Sequence, residues 1–309
     1  MRGTQLAIAR FLMGVIVLAG SAPLARAQVS DVPYVPTPPN VVDVMLGIAK
    51  VGPDDYVIDL GSGDGRIVIA AARKYGARGF GVDIDDALVD EARRQARRQG
   101  VSDRVTFATR NLFITDISDA TVITMYLFPQ VNMQLRPRFL KELKPGTRIV
   151  SHEFDLDEWQ PDAKVVVPVP DKPYGDPSSN VFLWVVPADA SGSWRWRLAG
   201  GDGPPDCEVT LEQTYQMLTG EGQWAGRSAR VSGRVRGEEV SLRFVSEADG
   251  RPLHHELNGR LSGDAIRGTA MVRGGMQREW QATRTARGNM KVNSGAAFAR
   301  HTTIAEELR

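Results

Sequence analysis

The chain has 309 residues, 42% of them hydrophobic, with 38 basic against 37 acidic side chains and a net charge of +1. That length and apolar content suffice for two domains with separate cores, and the near-zero charge supplies no global field for nucleic acid or an anionic membrane. A single cysteine, Cys207, excludes an internal disulfide, and only His254 and His255 lie close together among the histidines, so no Cys/His spacing suggests a metal.

Residues 1–27 read as an export signal: Arg2 and Arg10 supply positive charge, Phe11 to Gly20 is apolar, and Ala25-Arg26-Ala27 is a small-x-small cleavage site before Gln28. The apolar core is short for a membrane span. An uncleaved anchor is the rival reading, and both place the folded part outside the cytoplasm of a bacterial host, periplasmic, secreted or membrane-anchored. A proline-rich lead, Pro33 to Pro39, follows, and Asn40 is placed to cap a helix burying Val41, Val44, Met45 and Ile48. The apolar strand Tyr56–Leu60 enters Asp59-Leu60-Gly61-Ser62-Gly63-Asp64-Gly65, and a helix leaves it from Arg66 to Lys74, ended by Gly76. A second strand, Gly79 to Val82, ends at Asp83. In the next helix, Asp86 to Gln99, the cluster Arg93, Arg94, Arg97 and Arg98 follows Asp90 and Glu91 at helical pairing distances, which predicts a solvated face and not a polyanion site. Strands at Val105–Ala108, Ala120–Met125 and Thr147–Ser151 and a helix opened by Pro129 complete an alternation that argues for a parallel sheet covered on both faces. Lys164–Val169 and Val181–Val186 have no helix between them, which predicts an antiparallel closing pair.

Beyond Ser191 apolar residues recur with period two: Trp194, Trp196 and Leu198; Cys207, Val209 and Leu211; Val240, Leu242 and Phe244; Ile266, Ala270 and Val272. Turn signals at Gly237-Glu238, Asp249-Gly250, Gly263-Asp264 and Gly274-Gly275 separate them, the pattern of an antiparallel meander that closes into a small barrel. The expected organisation is a signal or anchor at 1–27, an α/β domain at 28–188, an antiparallel β domain at 189–287 and a polar flexible tail at 288–309.

Three glycines at alternate positions permit a tight strand-to-helix turn against which a ligand can lie closely. With the acidic residue before the first glycine, the flanking strand and helix, and Asp83 at the end of the second strand, the chain resembles class I S-adenosylmethionine-dependent methyltransferases. The resemblance implies a Rossmann-like seven-stranded sheet with an antiparallel last strand and S-adenosylmethionine as cofactor. It implies that backbone at Gly61, Gly63 and Gly65 approaches the cofactor, that Asp59 orients the turn or meets the cofactor's amino group, and that Asp64 lies beside it. Asp83 then accepts the ribose hydroxyls, while Asn111 and Leu112 meet the adenine.

Tyr34-Val35-Pro36-Thr37, Asp59 to Arg66, Ile67 to Ala72, Phe128-Pro129-Gln130, and Trp159 with Pro161-Asp162 narrow the resemblance to the lysine methyltransferases of the ATP synthase c-subunit and their prokaryotic relatives, over roughly Pro33 to Asp162. In that family the lead segment closes over the cofactor, which implies that Tyr34 and Thr37 reach its methionine carboxylate. Tyr126, after the fourth strand, and His152, after the fifth, are the candidate catalytic or acceptor-shaping residues. The export signal and the β domain depart from that family. Trp194-Arg195-Trp196, Gly263-Asp264 and Trp280-Gln281-Ala282 resemble small lipocalin-like bacterial domains, which implies an apolar ligand in the β domain. The expected activity is methyl transfer to a nucleophile such as a protein lysine. A small-molecule acceptor is one alternative, and an exported binding protein with a degenerate methyltransferase scaffold is another; membrane proximity follows if the signal is uncleaved.

Overall fold

The computed structural model describes residues 34–173, 175–198, 207–224, 227–248, 251–272 and 276–292; the expected signal at 1–27 lies outside them. The chain divides into two compact units, Met1–Val35 and Pro36–Arg309, and the fold below belongs to the second.

Helix α1 (Pro39–Ile48), strand β1 (Tyr56–Leu60), α2 (Arg66–Tyr75), β2 (Arg78–Asp83), α3 (Asp86–Arg98), β3 (Val105–Thr109), β4 (Val122–Met125), α4 (Pro129–Glu142), β5 (Arg148–His152), β6 (Ala163–Pro168) and β7 (Ser178–Val185) follow in chain order, with a short 3-10 turn at Leu112–Ile114 before β4. The sheet order is β3-β2-β1-β4-β5-β7-β6. Strands β1 to β5 are parallel, and β7 runs antiparallel to both β5 and β6. The antiparallel closing pair expected from the missing helix is therefore present.

Burial follows from this layering. Every residue of β4 is buried, as expected of a strand covered on both faces. In β1, Val57 joins the core beneath α1 and α2, while Ile58 and Leu60 join the opposite core with Leu135 and Phe139 of α4. Asn40 does not cap α1: the helix begins at Pro39, whose missing N–H needs no cap, and the Asn40 amide donates to Pro168 O at 2.8 Å. The buried face of α1 carries Val41, Val42, Met45 and Leu46, leaving Val44 and Ile48 half-buried. The α3 arginines do pair on an exposed face, Arg93 with Asp90 at 3.0 Å and both Arg94 and Arg98 with Glu91.

The second half is a closed eight-stranded antiparallel barrel, β8 (Gly192–Leu198), β9 (Cys207–Thr214), β10 (Met217–Trp224), β11 (Arg227–Arg236), β12 (Glu239–Ala248), β13 (Arg251–Ser262), β14 (Ala265–Val272) and β15 (Met276–Arg287), with β15 pairing back onto β8. Trp194, Trp196, Leu211, Val231, Phe244 and Trp280 help fill its interior. The Arg284 guanidinium lies 4.5 Å from the Trp194 ring and donates to Ser191 O and Asp189 O at 2.7 and 2.6 Å. Of the tail expected from residue 288, the described part is held: Lys291 N donates to Gln213 O at 2.7 Å.

The barrel packs on the α/β half. Tyr215, between β9 and β10, stacks on Trp159 at 5.8 Å, Gln216 Nε2 donates to Gln160 O at 2.6 Å, and Arg234 pairs with Asp162. Ala188 N donates to Gly237 O at 2.7 Å, and Gly237 lies against Gly146, just before β5. These contacts gather toward the amino-terminal end of β5, away from the glycine turn.

Candidate active site

The turn after β1 is built by backbone. Gly61 N and Ser62 N both donate to Val82 O at 2.9 Å, tying the turn to β2. Gly61 and Gly65 take φ of 79° and 78°, conformations that disfavour a side chain. A Cβ at Gly61 would fall 2.8 Å from Leu127 Cδ2, and one at Gly65 2.7 Å from the Phe107 ring. The Asp83 carboxylate latches the turn: one oxygen accepts from Gly63 N at 2.8 Å and the other from Asp85 N at 3.1 Å. Each oxygen keeps a second acceptor position, which suits a vicinal diol. Gly65 O receives the first bond of α2, and at its amino-terminus Asp64 Oδ1 accepts from Arg66 N at 3.2 Å.

Asp59 is 2% exposed at the end of β1, where it accepts from Thr124 Oγ1 at 2.7 Å. Burial pushes its carboxyl up to about 7; the Thr124 bond opposes that, and the negative charges of Asp83 and Asp64 add to it. A cationic group placed here would relieve all three carboxylates. Asp64 is already bound by Arg66 at 2.7 Å, and Arg66 also donates to Thr37 O at 2.8 Å. The lead segment at Thr37 is thus clasped to the start of α2.

Thr37, 4% exposed, carries its hydroxyl to His152 Nδ1 at 3.1 Å. This bond engages the Thr37 hydroxyl beside β5. His152 is 1% exposed, and burial lowers its pKa to about 4, with Glu153 opposing and Lys172 assisting. Among the described residues no group hydrogen-bonds its Nε2; the nearest Glu153 oxygen is 3.9 Å away and is held by Lys172 at 3.1 Å. The Tyr126 ring lies 4.0 Å from that of His152, so the two candidates read from separate strands meet. Phe154 stands 6.3 Å from both Tyr126 and Phe128. Burial, with a smaller contribution from Glu153, raises the Tyr126 phenol above its ordinary value.

Asn111 and Leu112 follow Arg110, whose N donates to Asp83 O at 2.8 Å. Asn111 is exposed, and its side-chain oxygen caps the short turn by accepting from Phe113 N at 2.8 Å; Leu112 is half-buried against the α4-side core. Tyr34, 44% exposed, belongs to the other compact unit. Sequence reasoning missed Arg66, Phe128 and Phe154 as site residues. Arg66 adjoins the motif and was the most recoverable. Among the described residues, no group of three or more His, Cys, Asp or Glu side chains is arranged for a metal ion. A separate concavity of about 770 Å³, lined by Ser193, Thr210, Glu221 and Arg230 among others, lies on the barrel and shares no residue with the turn.

Residues 59–163 match the family model of the ANTKMT methyltransferase domain. The chain is 48% identical over 161 residues to a protein-lysine N-methyltransferase of Saccharolobus islandicus (strain REY15A), an alignment covering 52% of this chain and 97% of that protein. It is 36% identical over 135 residues to the adenine nucleotide translocase lysine N-methyltransferase of Mus musculus, covering 44% of this chain and 58% of the mouse protein. Among solved structures it is similar, at 50% identity and a TM-score of 0.45, to an RNA methyltransferase from Salinibacter ruber in complex with S-adenosyl-L-homocysteine; that match covers 49% of this chain and 93% of the other.

Proposed function

The chain belongs to the protein-lysine N-methyltransferase family, and from that premise we propose that it methylates the Nζ of a protein lysine with S-adenosylmethionine. One observation carries the cofactor assignment: the glycine turn is latched to Asp83 at the carboxyl ends of β1 and β2, with Asp59 beneath it. The missing side chains at Gly61 and Gly65 let the turn close against Leu127 and Phe107 in the positive-φ conformation it needs. When bound, S-adenosylmethionine supplies a methyl group already activated on a sulfonium.

The protein's task is then to hold two reactants in line and exclude water. We assign Asp83 to the ribose diol, the backbone of Gly61, Gly63 and Gly65 to close approach, and Asp59 to the cofactor's ammonium. Asp64, through Arg66 and Thr37, holds the lead segment over the turn, and Leu112 and Asn111 flank the adenine. With the cofactor held there, a deprotonated lysine nitrogen would take its methyl group, sulfur keeping the electron pair of the C–S bond. The nitrogen's surplus proton leaves to water. A site walled by Tyr126 and the neutral His152 favours the uncharged amine.

We also propose that the folded part works outside the cytoplasm, on the strength of residues 1–27, with a membrane-anchored form as the alternative; cell fractionation decides between them. Trp194, Trp196, Phe244 and Trp280 occupy the barrel interior, which favours the barrel as a docking element over a carrier of an apolar ligand.

Calorimetric titration with S-adenosylmethionine tests the reading. Wild type is expected to bind, and Asp83→Ala to lose about 1–3 kcal/mol of binding free energy. A folded wild type that does not bind overturns the proposal. Acceptor profiling separates protein lysine from small amines.

A further inference from the structure

Four rings from two different strand ends form one cluster. Tyr126 and Phe128 follow β4, and His152 and Phe154 lie at and after the end of β5; Tyr126 touches His152 at 4.0 Å, and Phe154 bridges Tyr126 and Phe128 at 6.3 Å from each. Thr124, two residues before Tyr126, holds Asp59, and Leu127, one residue after it, closes on Gly61. The cluster therefore adjoins the turn assigned to the cofactor. Its outer ring, Phe128, is 45% exposed and its inner ring, His152, is 1% exposed, so it grades from surface to interior.

Resting on the lysine-methyltransfer reading, we propose that Phe128, Phe154 and Tyr126 wall the channel that admits the acceptor's four-carbon amine side chain, and that His152 Nε2 is the hydrogen-bond acceptor that orients its nitrogen. Three features support this. Aromatic faces pack an alkyl stem and attract the cationic amine that enters or leaves. A polar nitrogen buried without a partner is unfavourable unless a ligand supplies one. The Thr37 hydroxyl holds the imidazole through Nδ1 at 3.1 Å, and in the tautomer whose Nδ1–H donates to that hydroxyl the unpartnered Nε2 is an acceptor. Because burial holds its pKa at about 4, His152 receives a hydrogen bond and does not carry the proton away. It is an orienting residue and not a general base.

The test is titration of the full-length protein, saturated with S-adenosylhomocysteine, with n-butylamine as the lysine side-chain probe. Wild type is expected to bind n-butylamine. His152→Phe keeps a ring and removes the acceptor, and is expected to weaken the amine about tenfold. Phe128→Ala, at an exposed position where folding is not at risk, is expected to weaken it about threefold. Affinity for S-adenosylhomocysteine stays unchanged in Phe128→Ala. If wild type fails to bind S-adenosylhomocysteine, the methyltransfer reading falls. If it binds S-adenosylhomocysteine but not n-butylamine, or if both variants bind n-butylamine like wild type, the channel proposal is overturned and the reading stands.

Discussion

Replacing Asp59 with asparagine isolates the electrostatics of the cofactor turn. The carboxyl is buried and titrates at about 7 in the folded chain, against 3.8 for an ordinary Asp. Between those values the folded chain holds a proton that the unfolded chain has released. Stability contributed by Asp59 is therefore full below pH 3.8 and is lost as pH rises to about 7. About three pH units at about 1.36 kcal/mol each amount to ~4 kcal/mol, an upper figure because burial dominates the shift. The substituted amide cannot ionise, and its oxygen still accepts from Thr124. Urea unfolding of both proteins without cofactor, from about pH 4 to about pH 8, should show Asp59→Asn gaining on wild type by up to that amount. Adding S-adenosylmethionine should make wild type release a proton near about pH 6–7, seen as a buffer-dependent binding enthalpy, while the variant releases none. Parallel stability curves across the range would refute the reasoning.

Gly61→Ala places a methyl 2.8 Å from Leu127 Cδ2 at φ 79°; a loss of about 1–3 kcal/mol in chemical denaturation is expected, with cofactor binding lost more steeply than stability. Tyr215→Ala empties the stack on Trp159 at the barrel contact; it should destabilise by about 3 kcal/mol in thermal melts while leaving cofactor affinity unchanged, and an affinity loss would mean that the barrel contact reaches the site. Cys207 is buried, and burial pushes its thiol up to about 12, so the native protein should resist iodoacetamide at about pH 8 by mass spectrometry and react only on unfolding.

The parts of this fold carried by short-range pattern were legible. Tyr56–Leu60, the alternate glycines and Asp83 declare a strand, a turn and a second strand end within 28 residues, and the structure joins them through the Gly63–Asp83 bond. Period-two burial from Trp194 onward likewise announced the barrel, because each strand alternates one wet and one dry face. What escaped depends on contacts between distant segments. Asn40 looked like a cap until Pro39 removed the need for one. Nothing local to Thr37 announced that β5 brings His152 against it, 115 positions away. Phe128 and Phe154 belong to different loops, and nothing local marks two phenylalanines as neighbours.

The barrel's seat has a directional consequence. It grips Trp159, Gln160, Asp162 and Gly146, whereas Asp83, Tyr126 and His152 sit where the parallel strands finish. The enzyme accordingly has a handle and a mouth at opposite ends of the parallel strands. On the lysine-methyltransfer proposal, an acceptor approaches the strand ends at the mouth and not the end that seats the barrel.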